Sequence, residues 1–406
     1  MKGNNVVSKK LIAALGVLSS LFLTACTGGG AGNAPASGAG GTYNIYASYP
    51  VTGALATTAK TVITGLEAAV EDINTSGGFG GRQAKLTIVD DQLDPAKAVT
   101  LLQQQIDKAK PDLVLAGVTS NIALALLPLT TRNEILTMTL GQSSKISDPA
   151  NFPFAFSPTV PNVQDAKAVT TQLLSQGIKK VGMLTANDAN GTDTATAYAA
   201  AFKAAGIEVV ADSYAAADID MTAPLERLSA DDPDGLVMQA FGPAAGYILT
   251  GITKLGLGIP VVAGISLSAG NNLGTISSPA DWKNLTISAY PINTAKRDES
   301  GRLFKSLMAH LKSSGAKLTN GMNQVADGFD MLQIARRGVD QAGAVDAASV
   351  SKALENPRPL DGTAPYVRWG TQTFSPESHF LGVSAKDAYV FVKPGPYVDG
   401  VIQSIG

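Results

Sequence analysis

Few residues in this 406-residue chain have the type and spacing for covalent chemistry. Its two histidines, His310 and His379, stand far apart and lack metal-ligand spacing. His310 falls at the edge of an apolar helical stripe of Leu303, Phe304, Leu307, Met308 and Leu311, so it reads as an edge-of-core or surface residue. No G-x-S-x-G elbow occurs. Gly77-Gly78-Phe79-Gly80-Gly81 follows a helix pattern and precedes a strand, the wrong placement for a dinucleotide fingerprint. The pairs Asp90-Asp91 and Asp231-Asp232 sit at turns, where capping and solvation are the default roles. No cofactor or metal is called for, and no enzyme is expected. The chemistry left is capture. Ser120 opens a helical run directly after a strand, where unpaired N–H groups suit a carboxylate. Its hydroxyl either caps the helix or donates to a ligand.

Such groups need a scaffold, and strand and helix patterns alternate from residue 42 onward. Residues 42–47, 85–89, 112–116 and 134–139 read as strands. Between them lie helices from Thr52-Gly53 to about Asn74, from Asp94-Pro95 to about Lys108, and over 121–127. Asp94 followed by Pro95 is a strong helix start. A second unit of the same rhythm begins near Pro158, with strands at 180–185, 208–211, 235–239, 260–264 and 285–289. Helices at 162–176, 192–204, 222–229 and 243–254 separate them. Helices follow at 298–312, 322–341 and 347–355, and the tail from Tyr366 reads as edge strands or a hairpin. The β-α-β alternation implies parallel sheets with helices on both faces.

The first 25 residues have the layout of an export signal: Lys2, Lys9 and Lys10, then an apolar stretch over 11–23 too short to span a bilayer comfortably. Leu23-Thr24-Ala25-Cys26 matches a lipoprotein cleavage motif, and Cys26 is the only cysteine. Lipidation at Cys26 predicts a chain anchored to the extracytoplasmic face of the membrane, with no disulfide available. Residues 26–41 form a flexible Gly/Ala/Ser/Pro tether. The 31 basic residues less those three lysines leave 28 against 33 acidic ones, a net −5, with no basic patch for nucleic acid.

Several segments resemble the branched-chain amino acid binding proteins, the Leu/Ile/Val type that serves ABC importers. The likeness is carried by Tyr49-Pro50-Val51-Thr52-Gly53, by 68–74 with 77–82, by Asp90-Asp91 with 94–99, by 117–121, and by 374–379. The resemblance implies two doubly wound parallel-sheet lobes joined by three crossover strands, near 156–160, 286–293 and 363–373. Lobe 1 would comprise 42–157 and 291–366, and lobe 2 158–290 and 367–406. It implies a monomer that closes on a small-molecule ligand and delivers it to permease subunits. A ligand-sensing ectodomain for a signalling partner is the alternative use of the same clamshell.

The resemblance also implies site residues. The serine matching Ser120 contacts the ligand carboxylate. Gly141 and Ser143 match contacts to an amino acid head group, although an ordinary Gly/Ser loop would read the same. Val51 and Thr52 either line the cleft or serve as turn and N-cap. Phe241 matches a cleft aromatic, or is a core phenylalanine. Two positions depart from the pattern: Asn190 stands where an aromatic is usual, and Ser266 near the acid that pairs with a ligand ammonium. A hydroxyl is no counter-ion. Either Asp188 or another acid takes that part, or the ligand lacks a free amine. The expected ligand is an amino acid or a related small carboxylate or amide, with an aromatic acid as the alternative.

Overall fold

A computed structural model describes residues 40–404 apart from Ala216, residues 269–272, Lys296, Asp298 and residues 360–365. The export signal, Cys26 and all but the last two tether residues lie outside the described residues, as do residues 363–365 of the third expected crossover.

The first body is built from β1 (Thr42–Tyr49), α1 (Ala56–Thr75), β2 (Gln83–Asp90), α2 (Pro95–Lys108), β3 (Leu113–Ala116), α3 (Ser120–Arg132), β4 (Leu136–Met138) and β5 (Ala155–Phe156). Its strands are parallel in the order β2-β1-β3-β4-β5. Alternation along β1 sorts its side chains between two layers. Tyr43, Ile45, Ala47 and Tyr49 face a core containing Val62, Leu66 and Phe329, while Tyr46 faces Leu102, Ile122 and Leu126. Asp94 caps α2 by accepting from Ala96 N (2.8 Å) and Lys97 N (3.1 Å), as the Asp-Pro pair predicts. The start of α1 differs from expectation. Thr52 donates its hydroxyl to Asp90 Oδ2 (2.6 Å), which ties the loop to the end of β2, and the helix begins only at Ala56.

The second body follows as α4 (Asn162–Ser175), β6 (Lys180–Ala186), α5 (Ala189–Ala204), β7 (Glu208–Tyr214), α6 (Thr222–Ser229), β8 (Gly235–Gln239), α7 (Ala244–Lys254), β9 (Val261–Ala263), α8 (Leu273–Ile276) and β10 (Leu285–Ala289). Its order, β10-β9-β8-β6-β7, repeats the order of the first sheet. The expected architecture of two doubly wound lobes is therefore present.

The chain then returns. Helices α9 (Arg302–Ser314), α10 (Met322–Ala342) and α11 (Ala347–Glu355) pack on the first body. Asp72 on α1 receives Arg302 Nη1 (3.2 Å), Ser306 Oγ (2.6 Å) and Gln333 Nε2 (2.8 Å). Trp369, Phe374 and Leu381 of the tail share the core of β1 and α10. Ser157 N donates to His379 O (2.8 Å), so the first link between the sheets runs beside this returning segment. From α12 (Ala385–Ala388) the tail joins the second sheet, where β11 (Val390–Val392) pairs antiparallel with β10. A hairpin of β12 (Tyr397–Val398) and β13 (Val401–Ile402) follows. Among the described residues no helix is long and apolar enough to cross a membrane.

Candidate functional site

In both sheets the first strand is followed on one side by the second and on the other by the third, which opens a crevice at the carboxyl ends. The two crevices face each other across a cavity of about 140 Å³. Val118 and Thr119 reach it from the loop after β3, and Thr58 and Val62 from α1. Asp188 and Asn190 follow β6, Phe241 follows β8, and Ser266 follows β9.

Six of the nine expected ligand residues line this cavity: Ser120, Gly141, Asp188, Asn190, Phe241 and Ser266. Ser143 is fully buried just behind the wall, with its Oγ unpartnered. Val51 and Thr52 lie outside it. Val51 is 44% exposed and borders a separate groove beside the C-terminal end of α9.

The cap reading of Ser120 does not match its place in the helix. It is the first helical residue, with Thr119 at the cap. Its Oγ accepts from Gln142 N and Ser143 N (3.1 Å each) and faces Asn190 Oδ1 at 3.5 Å. The hydroxyl thus folds the loop after β4 against α3. Gly141 belongs to the same packing: a Cβ there would lie 2.4 Å from Ile146 Cδ1 and 3.1 Å from Ser120 Cα. Ser120→Ala is expected to strand the buried Ser143 N–H, at a cost of about 1–3 kcal/mol, and to weaken ligand affinity by loosening this wall. Thermal melting and calorimetric titration of the variant check both effects.

Polar contacts bridge the bodies around the cavity. Asn121 Nδ2 donates to Asp188 Oδ2 (3.3 Å), Ala189 N donates to Asn121 Oδ1 (3.2 Å), and Ser144 N donates to Asp193 Oδ2 (3.1 Å). Gln142 Nε2 donates to the Tyr290 hydroxyl (3.2 Å). The bodies are in a closed arrangement.

Sequence reasoning missed the floor of the cavity, which α10 and the returning tail supply. Arg368 lies there with its side chain 2% exposed. Its guanidinium sits over the rings of Tyr290 (3.7 Å to the centroid) and Trp369 (4.0 Å). Nη1 pairs with Asp327. Burial pushes the Asp327 carboxyl up to about 6 despite the pull of Arg368. At neutral pH the two remain an ion pair. Asn323 and Gln324 of α10 complete this wall. The signal available in the sequence was an arginine among aromatic neighbours, Tyr366-Val367-Arg368-Trp369, on a segment that the topology returns to the cleft.

The acids of the cavity wall are engaged. Asp188 caps α5 through Gly191 N (2.7 Å) and also receives Asn121, while Asp327 holds Arg368. Among the described residues no cluster of His, Cys, Asp and Glu is fit for a metal ion.

Comparison with known proteins agrees with this arrangement. A family model described as periplasmic binding protein matches residues 42–386. The chain is 26% identical over 337 residues to Leu/Ile/Val-binding protein homolog 3 of Brucella melitensis, covering 79% of this chain and 86% of that protein. Its fold is similar to a type 1 periplasmic binding protein from Bordetella pertussis, with a TM-score of 0.77 at 20% identity over 90% of this chain and 98% of that one. It is also similar to an ABC transporter solute-binding protein from R. palustris, with a TM-score of 0.75 at 18% identity over 89% and 95% of the two chains. With two facing crevices, a cavity between them and a family match across nearly the whole described body, the chain belongs to the periplasmic binding protein family, whose members bind ligands and carry out no catalysis.

Proposed function

We propose that this extracytoplasmic ligand-binding protein captures a small carboxylate with an aromatic body and no free amine, and passes it to the permease subunits of an ABC importer. The observations that carry this reading are the pairing of Asp327 with Arg368 and the setting of Asp188, whose two oxygens accept from Gly191 N and Asn121 Nδ2. Ser266 supplies only a hydroxyl where a counter-ion for an ammonium is expected. An ammonium seated at Ser266 would be buried with no counter-ion beside it, at a cost of several kcal/mol. Phe241, Tyr290, Val62 and Val118 offer apolar and aromatic surface suited to a flat ring. Among the similar solved structures, two R. palustris solute-binding proteins hold 4-hydroxybenzoate and 3,4-dihydroxybenzoic acid, and a Thermotoga maritima one is a leucine-binding protein.

In this reading the protein works as a monomer, on lobes bounded at 157/158 and 290/291. Lipid on Cys26 and the tether over 26–41 hold it at the extracytoplasmic face of the membrane. Ligand contacts to both lobes favour the closed form, which is what the importer would distinguish. Thermal melting with 4-hydroxybenzoate, leucine and leucinamide tests the ligand class. A ligand present at a hundred times its Kd adds about 2.7 kcal/mol to stability. The hydroxybenzoate is expected to raise Tm by several degrees, and leucine to leave it unchanged. Stabilisation by leucine alone would overturn the assignment.

A further inference from the structure

We infer that the Nε/Nη2 edge of Arg368 is the seat of the ligand carboxylate, which it grips with two parallel N–H groups, with Gln324 as a second donor. This rests on the reading of the cavity as a small-carboxylate site. In a guanidinium, Nε–H and one Nη2–H run side by side along one edge, and that fork matches the two oxygens of a carboxylate. Here Asp327 takes Nη1, on the other side of the group. Nε and Nη2 are buried and have no acceptor among the described residues. Tyr290 and Trp369 lie against the guanidinium and hold it between them.

Two buried charged N–H donors without an acceptor are costly, and a site that leaves them so is built for an anion. Gln324 adds to this. Its Oε1 accepts from Asn320 Nδ2 (3.0 Å), which sets the orientation of the amide, and its Nε2 is buried without a partner. Gln324 and Arg368 both line the cavity. The N–H groups after β4 do not compete for the carboxylate, because Gln142 N and Ser143 N are bound to Ser120 Oγ. The anion therefore sits at the floor made by the returning tail rather than at the start of α3.

The test is calorimetric titration of the mature protein with 4-hydroxybenzoate and its neutral isostere 4-hydroxybenzamide. The variants are Arg368→Lys and the double variant Arg368→Met with Asp327→Asn, which removes the ion pair as a unit and leaves no lone buried acid. Both are expected to lose affinity for the acid by about 100-fold, the effect of removing one partner of a buried charge-assisted contact. Their affinity for the amide is expected to change by less than about threefold, because the amide never used the fork's charge. A general loosening of the cavity would weaken both ligands alike and would overturn the inference. So would retention of acid affinity in the double variant or, where that variant does not fold, in Arg368→Lys. In either of those cases binding of the acid by the wild type leaves the small-carboxylate reading standing. Wild-type protein that binds the amide and not the acid would overturn both.

Discussion

Gly65→Ala is expected to destabilise the protein by about 3 kcal/mol and to weaken ligand binding, although alanine is the better helix former. In an exposed helix the exchange would gain up to about 1 kcal/mol. Here α1 and α10 cross backbone against backbone. A Cβ on Gly65 would lie 1.9 Å from Val325 O and 2.9 Å from Phe329 N, and one on Gly328 would lie 2.1 Å from Val62 O. These are main-chain atoms in helices, so no side chain can swing away. The helices must separate, and overpacking of this kind typically costs about 1–3 kcal/mol or more. The functional effect follows from the same geometry, because Thr58 and Val62 on α1 and Asn323, Gln324 and Asp327 on α10 share the cavity wall. Gly258→Ala is the control, since a Cβ there meets nothing within 4 Å. Equal melting temperatures for the Gly65 and Gly258 variants would show that the crossing is not close.

Asp165→Asn is expected to stabilise the protein at pH 8, and by less at pH 5. Asp165 lies in the first turn of α4 and is 1% exposed. It accepts from Tyr198 Oη (2.5 Å), Ile265 N (3.2 Å) and Ser288 Oγ (3.3 Å), and has no cationic partner among the described ion pairs. Burial pushes its carboxyl up to about 6, against the pull of those three donors. Tyr198, Tyr290 and Tyr389 are the titratable groups coupled to it, and all three stay neutral in this range because burial raises them above 10. The folded pKa is above the unfolded value, so folding takes up a proton between about pH 4 and pH 6. Stability is then highest below the unfolded pKa and falls as pH rises through the folded one. Two pKa steps correspond to about 3 kcal/mol. An asparagine keeps the shape and an acceptor for Tyr198 and Ile265, and it carries no charge. Urea midpoints of the two proteins should lie closer together at pH 5 than at pH 8. Parallel curves for the two proteins would remove Asp165 as the source. Asp327 and Asp330 are raised by burial too, so the variant keeps some of the same slope.

Both predictions concern residues whose importance was invisible in the sequence. Gly65 and Gly328 are single glycines inside helical patterns, and only the crossing shows why nothing larger fits. Asp165 reads as an ordinary first-turn acid, yet the second sheet closes over it. By contrast, the ends of α2, α6 and α11 lie where local signals put them, because an Asp-Pro start and an apolar stripe act within one or two turns. The two-residue β5 escaped notice, since two residues show no period. The start of α1 moved because Thr52 found a partner 38 residues away.

The site divides in the same way. Local pattern placed the loops after β3, β6, β8 and β9 at strand carboxyl ends, the family resemblance pointed to Ser120, Asp188, Asn190, Phe241 and Ser266 within them, and all five line one cavity. It could not say which of their polar groups remain free. The Ser120 oxygen accepts from the loop after β4, the Asp188 carboxylate from its own helix start, and Ser143 is turned behind the wall. Arg368, Asp327 and Tyr290 come together from segments far apart in the chain. Alternation, helix period and capping are interactions between near neighbours, so the sequence determines the elements and their order directly. Which charges are paired and which donors stay unmet depends on distances between remote segments, and those exist only once the two sheets have closed on each other.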